Sequence, residues 1–180
     1  AGTYTCLVTD ANGCHREDSL IVYEYQPINT SYAITTNYNG YGVSCYGASD
    51  GCITTSTNGG SGNYTYLWSN GATTADICNV TAGIYNCLIT DDCGCYNTIS
   101  VTISEPALIN LNIDSTFNIT TYGGNDGAIY ISTIGGSSQL NINWTSNNGF
   151  TSNNSDITNL FAGLYYLEIS DSNGCHYLDT

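Results

Sequence analysis

Basic residues are almost missing. The chain holds a single one, Arg16, and no lysine, against 15 acidic residues, for a net charge of −14 over 180 residues. Phosphate recognition needs a basic surface, so nucleic acid is excluded as a partner. Anionic membrane surfaces are disfavoured for the same reason. Without lysine, no Lys–Asn isopeptide cross-link can form, and any covalent staple must be a disulfide. No apolar run approaches the roughly 18 residues of a membrane span, so direct membrane insertion is not expected. No signal peptide is visible; Ala1 falls inside a repeat, so this says nothing about export. Charged residues make up only 9% of the chain, which leaves Asn, Thr, Ser, Gly and Tyr to cover the surface, an extracellular composition. No Ser-His-Asp arrangement, pocketed carboxylate pair or phosphate loop is evident, and no enzyme is expected.

Cysteine is abundant. Nine in a chain this size argue for an oxidising compartment. The chain also repeats itself: AGTYTCLVTDANGC starts at Ala1, AGIYNCLITDDCGC at Ala82 and AGLYYLEISDSNGC at Ala162, spaced by 81 and 80 residues. Such a period fits tandem small domains. The only two prolines, Pro27 and Pro106, mark the joints, because Pro removes a ladder donor and suits a strand end. The boundaries are therefore 1–27 for the C-terminal part of one repeat, 28–106 for a complete repeat, and 107–180 for a third, diverged one. The chain is expected to be a window on something longer, or a subunit completed by its neighbours.

Within the repeats the apolar period is two. Tyr85, Cys87 and Ile89 alternate with Asn86, Leu88 and Thr90, and turn signals such as Asp50-Gly51, Asn70-Gly71 and Asn148-Gly149 separate the runs. The full repeat runs Cys52, Trp68, Tyr85-Asn86-Cys87, the order of an immunoglobulin-like sandwich with its strand-B Cys, strand-C Trp and strand-F Tyr-x-Cys. The expected fold is all-β: tandem Ig-like or PKD-like β-sandwich domains in a linear array. Trp68, Trp144, Tyr4, Tyr85 and Tyr165 are the expected core aromatics.

The third repeat carries Ala128 and Leu167 where the second has Cys52 and Cys87. Their joint loss points to a Cys52–Cys87 bridge through the core. Cys78 and Cys93 are also lost together (Thr158, Asn173) and form a candidate pair. Cys45 then pairs with Cys95, or with Cys14 across the joint. Cys6, Cys14 and Cys175 lack obvious partners, which are expected outside the window. Connectivity does not follow from sequence alone.

Ser44-Cys45-Tyr46-Gly47, Ser49-Asp50-Gly51, Gly59-Gly60, the run Tyr64–Thr74 with Trp68-Ser69-Asn70-Gly71-Ala72-Thr73-Thr74, Ala82–Tyr85 and Ile89-Thr90-Asp91 resemble the SprB-type repeat. The resemblance implies export, often by the type IX system, and roles in adhesion or gliding motility. The cysteines Cys52, Cys78, Cys87 and Cys93 exceed what such repeats usually carry and suggest a stapled variant.

Asp10 with Asn12, Asp91 with Asp92, and Asp171 with Asn173 resemble the opening of a calcium loop, yet Asp or Asn followed by Gly is equally what a tight hairpin requires. The plain turn is the reading, with no cofactor and joint Ca²⁺ as the alternative. Zinc at Cys87, Cys93 and Cys95 lacks the usual ligand spacing. Sequons at Asn29, Asn63, Asn79, Asn118, Asn143 and Asn153 are candidate glycosylation sites in a composition that generates them by chance. The expected function is a disulfide-stabilised segment of a long extracellular adhesin stalk or surface filament. The expected partners are neighbouring repeats or identical chains, with an extracellular surface or glycan as ligand. The alternatives are a small self-assembling filament subunit completed by neighbouring strands, and a Ca²⁺-dependent carbohydrate- or protein-binding module.

Overall fold

The computed structural model describes residues 1–180, and every regular element is a strand. A hairpin of β1 (Gly2–Thr9) and β2 (His15–Val22) comes first. Next come β3 (Asn29–Ile34), β4 (Gly51–Asn58), β5 (Thr65–Trp68), β6 (Ile77–Val80), β7 (Gly83–Thr90) and β8 (Tyr96–Ile103). They form two antiparallel three-stranded sheets, β3-β4-β6 and β5-β7-β8. Named in Ig fashion this is A-B-E over C-F-G. Ile53, Ile77 and Val80 from one sheet meet Trp68, Cys87, Ile89, Val101 and Ile103 from the other in a single buried cluster.

The same plan recurs in β9 (Ala107–Phe117), β10 (Gly127–Gly136), β11 (Asn141–Ser146), β12 (Thr151–Ser152), β13 (Ile157–Leu160), β14 (Tyr165–Ser170) and β15 (His176–Asp179). Here β13-β10-β9 faces β12-β11-β14-β15, over a core of Ile109, Ile131, Trp144, Ile157, Leu160, Leu167 and Ile169.

One detail explains a departure from strict alternation. Ile77 and Val80 are three apart, yet both point inward. Asn79 between them takes a left-handed backbone (φ 57°) and the register slips between Gly51 and Cys52. This bulge lets the strand present Ile77 and Val80 to one face. Asn159 (φ 57°) does the same for Ile157 and Leu160. Asn tolerates this conformation better than most residues.

Tyr85 and Tyr165 are half-buried against their cores, and each hydroxyl donates to the carbonyl four residues upstream, Thr81 and Phe161, both at 2.9 Å. These are the tyrosine corners of an Ig-like sandwich.

Three expectations differ from the structure. Cys52 does not reach Cys87. Within β4 the inward residues are Gly51 and Ile53, so Cys52 points to the outer face, where Cys78 lies directly opposite in the β4–β6 register and closes the disulfide. That bridge removes Cys78 from the expected pair with Cys93. Cys87 is 1% exposed and keeps a free thiol, serving as a small apolar side chain beside Trp68. Tyr4 is not a core residue: it is 62% exposed, because no second sheet lies over β1–β2, whose residues are all exposed.

Candidate functional site

The aspartate that opens each repeated turn is the organising atom group of the F–G end. In all three turns Oδ1 accepts the backbone N–H groups two and four residues on. Asp10 bonds Asn12 and Cys14 at 2.9 Å, Asp91 bonds Cys93 and Cys95 at 2.9 Å, and Asp171 bonds Asn173 at 2.9 Å and Cys175 at 3.0 Å. In the two sandwiches Oδ2 also reaches across to the loop after strand B. Ser61 N–H donates to Asp91 at 2.9 Å. The N–H and hydroxyl of Ser137 donate to Asp171 at 2.9 and 2.8 Å. Asp91 and Asp171 are therefore 6% and 5% exposed.

Glycine makes this approach feasible. Gly60 takes a left-handed φ of +57°, and a Cβ there would sit 2.5 Å from Asp91 Oδ2. The Ser61 N–H, helped by those of Cys95 and Cys93, holds Asp91 below the ordinary carboxylate range against the opposing pull of burial. For Asp171 burial is the largest influence and pushes upward, but the N–H groups of Ser137, Cys175 and Asn173 together outweigh it and its pKa is lowered. Carboxylate oxygens engaged in this way by N–H donors make a structural corner. Asp92 is likewise engaged, accepting from Asn63 Nδ2 at 2.7 Å. No grouping of three or more His, Cys, Asp or Glu side chains suited to a metal ion occurs.

The third of these turns meets the first sandwich. Cys175 is bonded to Cys45 with Cα atoms 5.6 Å apart, in the ordinary disulfide range, across a sequence separation of 130. This corrects two expectations: Cys45 pairs with neither Cys95 nor Cys14, and Cys175 finds its partner inside the chain. The loop Ser44–Gly47 carries the bridge because Asp50 Oδ1 holds Ser44 N–H at 3.0 Å and Glu105 accepts Gly47 N–H at 2.7 Å. Around the bridge, Asn173 Nδ2 donates to Ser44 O at 3.2 Å. Asn39 Nδ2 donates to Ser172 Oγ at 2.8 Å and to Asn173 Oδ1 at 3.0 Å. Half-buried Cys45 packs against the second core, and Cys175 belongs to it. Covalent, polar and apolar contacts thus converge on one joint. Sequence reasoning missed it: a partner for Cys45 across a joint was considered, but which F–G turn meets the Cys45 loop depends on how two sandwiches pack.

Cys6, Cys14, Cys93 and Cys95 are free and exposed. The sequon asparagines Asn29, Asn63, Asn79, Asn118, Asn143 and Asn153 are all exposed. His176 lies 3.3 Å from Glu168 on the neighbouring strand, both in contact with solvent.

The two stacked A-B-E and C-F-G sheet pairs, each with its Trp and tyrosine corner, define an all-β chain of Ig-like sandwiches. Within it, residues 43–73 match the SprB repeat family, a structural repeat found in cell-surface proteins. The matched stretch runs from the Cys45 loop through β4 to the Trp68 strand and its turn. No curated protein matches the chain.

Proposed function

We propose that this chain is a load-bearing segment of an extracellular adhesin stalk or surface filament, with no catalytic role. The observation that carries the reading is the Cys45–Cys175 bridge. It ties one SprB-like sandwich to the next at a joint that also has its own hydrogen bonds. The bridge ties a loop of the first sandwich to the edge of the second core and so fixes the mutual position of the two, which is the requirement of a stalk. The acidic, lysine-free surface keeps neighbouring segments soluble and mutually repelling. Adhesion or gliding motility is the task that the SprB match suggests.

A second reading, a filament subunit completed by its neighbours, is favoured by one observation. The β1–β2 hairpin carries the same turn as β7–β8 but leaves Tyr4, Val8, Leu20 and Val22 more than half exposed. Such a face accepts strands of another sandwich half. The mass of the native polypeptide under reducing, denaturing conditions separates the two. A chain many times longer than 180 residues supports the stalk; a mass matching 180 residues overturns it in favour of the subunit.

A further inference from the structure

We infer that Cys95, and Cys14 with it, are attachment points for the loop cysteine of a further SprB-type repeat. The inference rests on the stalk reading and extends it to a rule: the F–G turn cysteine of a repeat bonds the A–B loop cysteine of the repeat before it. The Cys45–Cys175 joint is the template. Cys175 sits four residues after Asp171 in a turn closed by Asp171 N–H to Cys175 O at 3.1 Å and Gly174 N–H to Asp171 O at 3.2 Å. Cys95 occupies the same place after Asp91, with 3.0 and 3.0 Å, and Cys14 after Asp10, with 2.9 and 3.1 Å.

The three turns share the same internal hydrogen bonds, and only one of them meets a Ser44-Cys45-Tyr46-Gly47 loop. In that one the cysteine is bonded; in the other two it is a free, exposed thiol. The polar part of the joint is kept only in part: Cys93 replaces Asn173 in the Cys95 turn, whereas Asn12 keeps that amide in the Cys14 turn. The exposed Asp92 carboxylate holds the place of Ser172, and it can accept the amide that Asn39 offers to Ser172.

The partner is a cysteine in a loop of the Cys45 type, either upstream in the same polypeptide or on a second chain. Each thiol gives up its hydrogen and the S–S bond forms. The two electrons and two protons pass to a disulfide oxidant, which becomes a dithiol. Thr121 stands where Cys45 would be in the last sandwich, as Asp126 holding Thr120 N–H at 3.0 Å shows by its match to Asp50 and Ser44. That loop therefore offers no thiol, and the rule ends there.

The test is a disulfide map of the native protein. Free thiols are blocked with N-ethylmaleimide, and the protein is cut with pepsin in acid, since trypsin finds only Arg16 and acid suppresses exchange. The expected result is a Cys45–Cys175 peptide together with a Cys95 peptide joined to a cysteine-loop peptide. Denaturing mass with and without reductant then places that loop: unchanged mass puts it in the same polypeptide, a fall in mass puts it on another chain. Cys95 carrying the blocking group, or closed on Cys93, beside an intact Cys45–Cys175 peptide overturns this inference alone. Loss of the Cys45–Cys175 peptide itself overturns the stapled stalk and this inference together.

Discussion

Pulling on the two ends of this chain should extend much less of it than its length suggests. Force entering at Ala1 travels to Cys45, crosses the disulfide to Cys175 and leaves at Thr180. The 130-residue separation between the two cysteines lies outside that path. At about 3.3–3.6 Å per extended residue, the bridge withholds about 450 Å of contour length. The oxidised chain offers only residues 1–45, with the β1–β2 hairpin and strand β3, and the end of the chain from strand β15 on; apart from the bridging Cys175, Val43 is the one fully buried core residue on that path. In single-molecule force spectroscopy on the full chain, wild type in oxidant should give short extensions, and reductant should add about 450 Å. The Cys45→Ser variant should show the long extension without reductant, short of the full amount by about 90 Å. That remainder is the 26-residue separation still held by Cys52–Cys78. Equal contour lengths in oxidised and reduced wild type would refute the load path.

Other perturbations report on other parts of the design. Asp91 and Asp171 have folded pKa values below their unfolded ones, so the unfolded chain binds more protons in that window. Their stabilisation is complete above about pH 4 and lost as pH falls through the depressed values, and Asp171→Asn should flatten the acid-unfolding curve followed by tryptophan fluorescence. Burial pushes the Cys87 thiol up, so it should resist maleimide until denaturant is added while exposed Cys95, if unpaired, reacts at once; early labelling of Cys87 would contradict the packed core. Trp68 Nε1 donates to Thr74 O at 2.9 Å, whereas Trp144 Nε1 is buried without a partner. Trp68→Phe should therefore cost about 1–2 kcal/mol more than Trp144→Phe in chemical denaturation. Tyr85→Phe and Tyr165→Phe, which each lose a corner hydrogen bond, should cost about 1 kcal/mol apiece by the same assay.

The sheets were legible because period-two alternation and the Cys, Trp, Tyr order leave few other ways to bury those side chains. The bridge inside the first sandwich was not. Cys52, Cys78, Cys87 and Cys93 all become other residues in the third repeat, so joint loss could not choose among pairings. A usable signal was present in the neighbours: Ile53 and Ile129 are both isoleucine at matching positions, which marks that phase of the strand as inward and turns Cys52 out. The aspartate turns read correctly as turns. Their burial did not, because it depends on Gly60-Ser61 and Gly136-Ser137 arriving from a distant strand. The Cys45–Cys175 joint depended on how two sandwiches meet, which the period of either repeat leaves open.

The bridge also changes how a chain of such sandwiches would behave as a polymer. A freely jointed string of domains takes the single domain as its statistical segment. Where Cys45 is fastened to Cys175 the segment becomes a pair, and thermal bending is pushed out to the joints without a bridge. Thr121, which stands in the Cys45 position of the second sandwich, marks such a joint. The persistence length of the strand is then written in the spacing of a single cysteine, and a reducing environment would shorten it without unfolding either core.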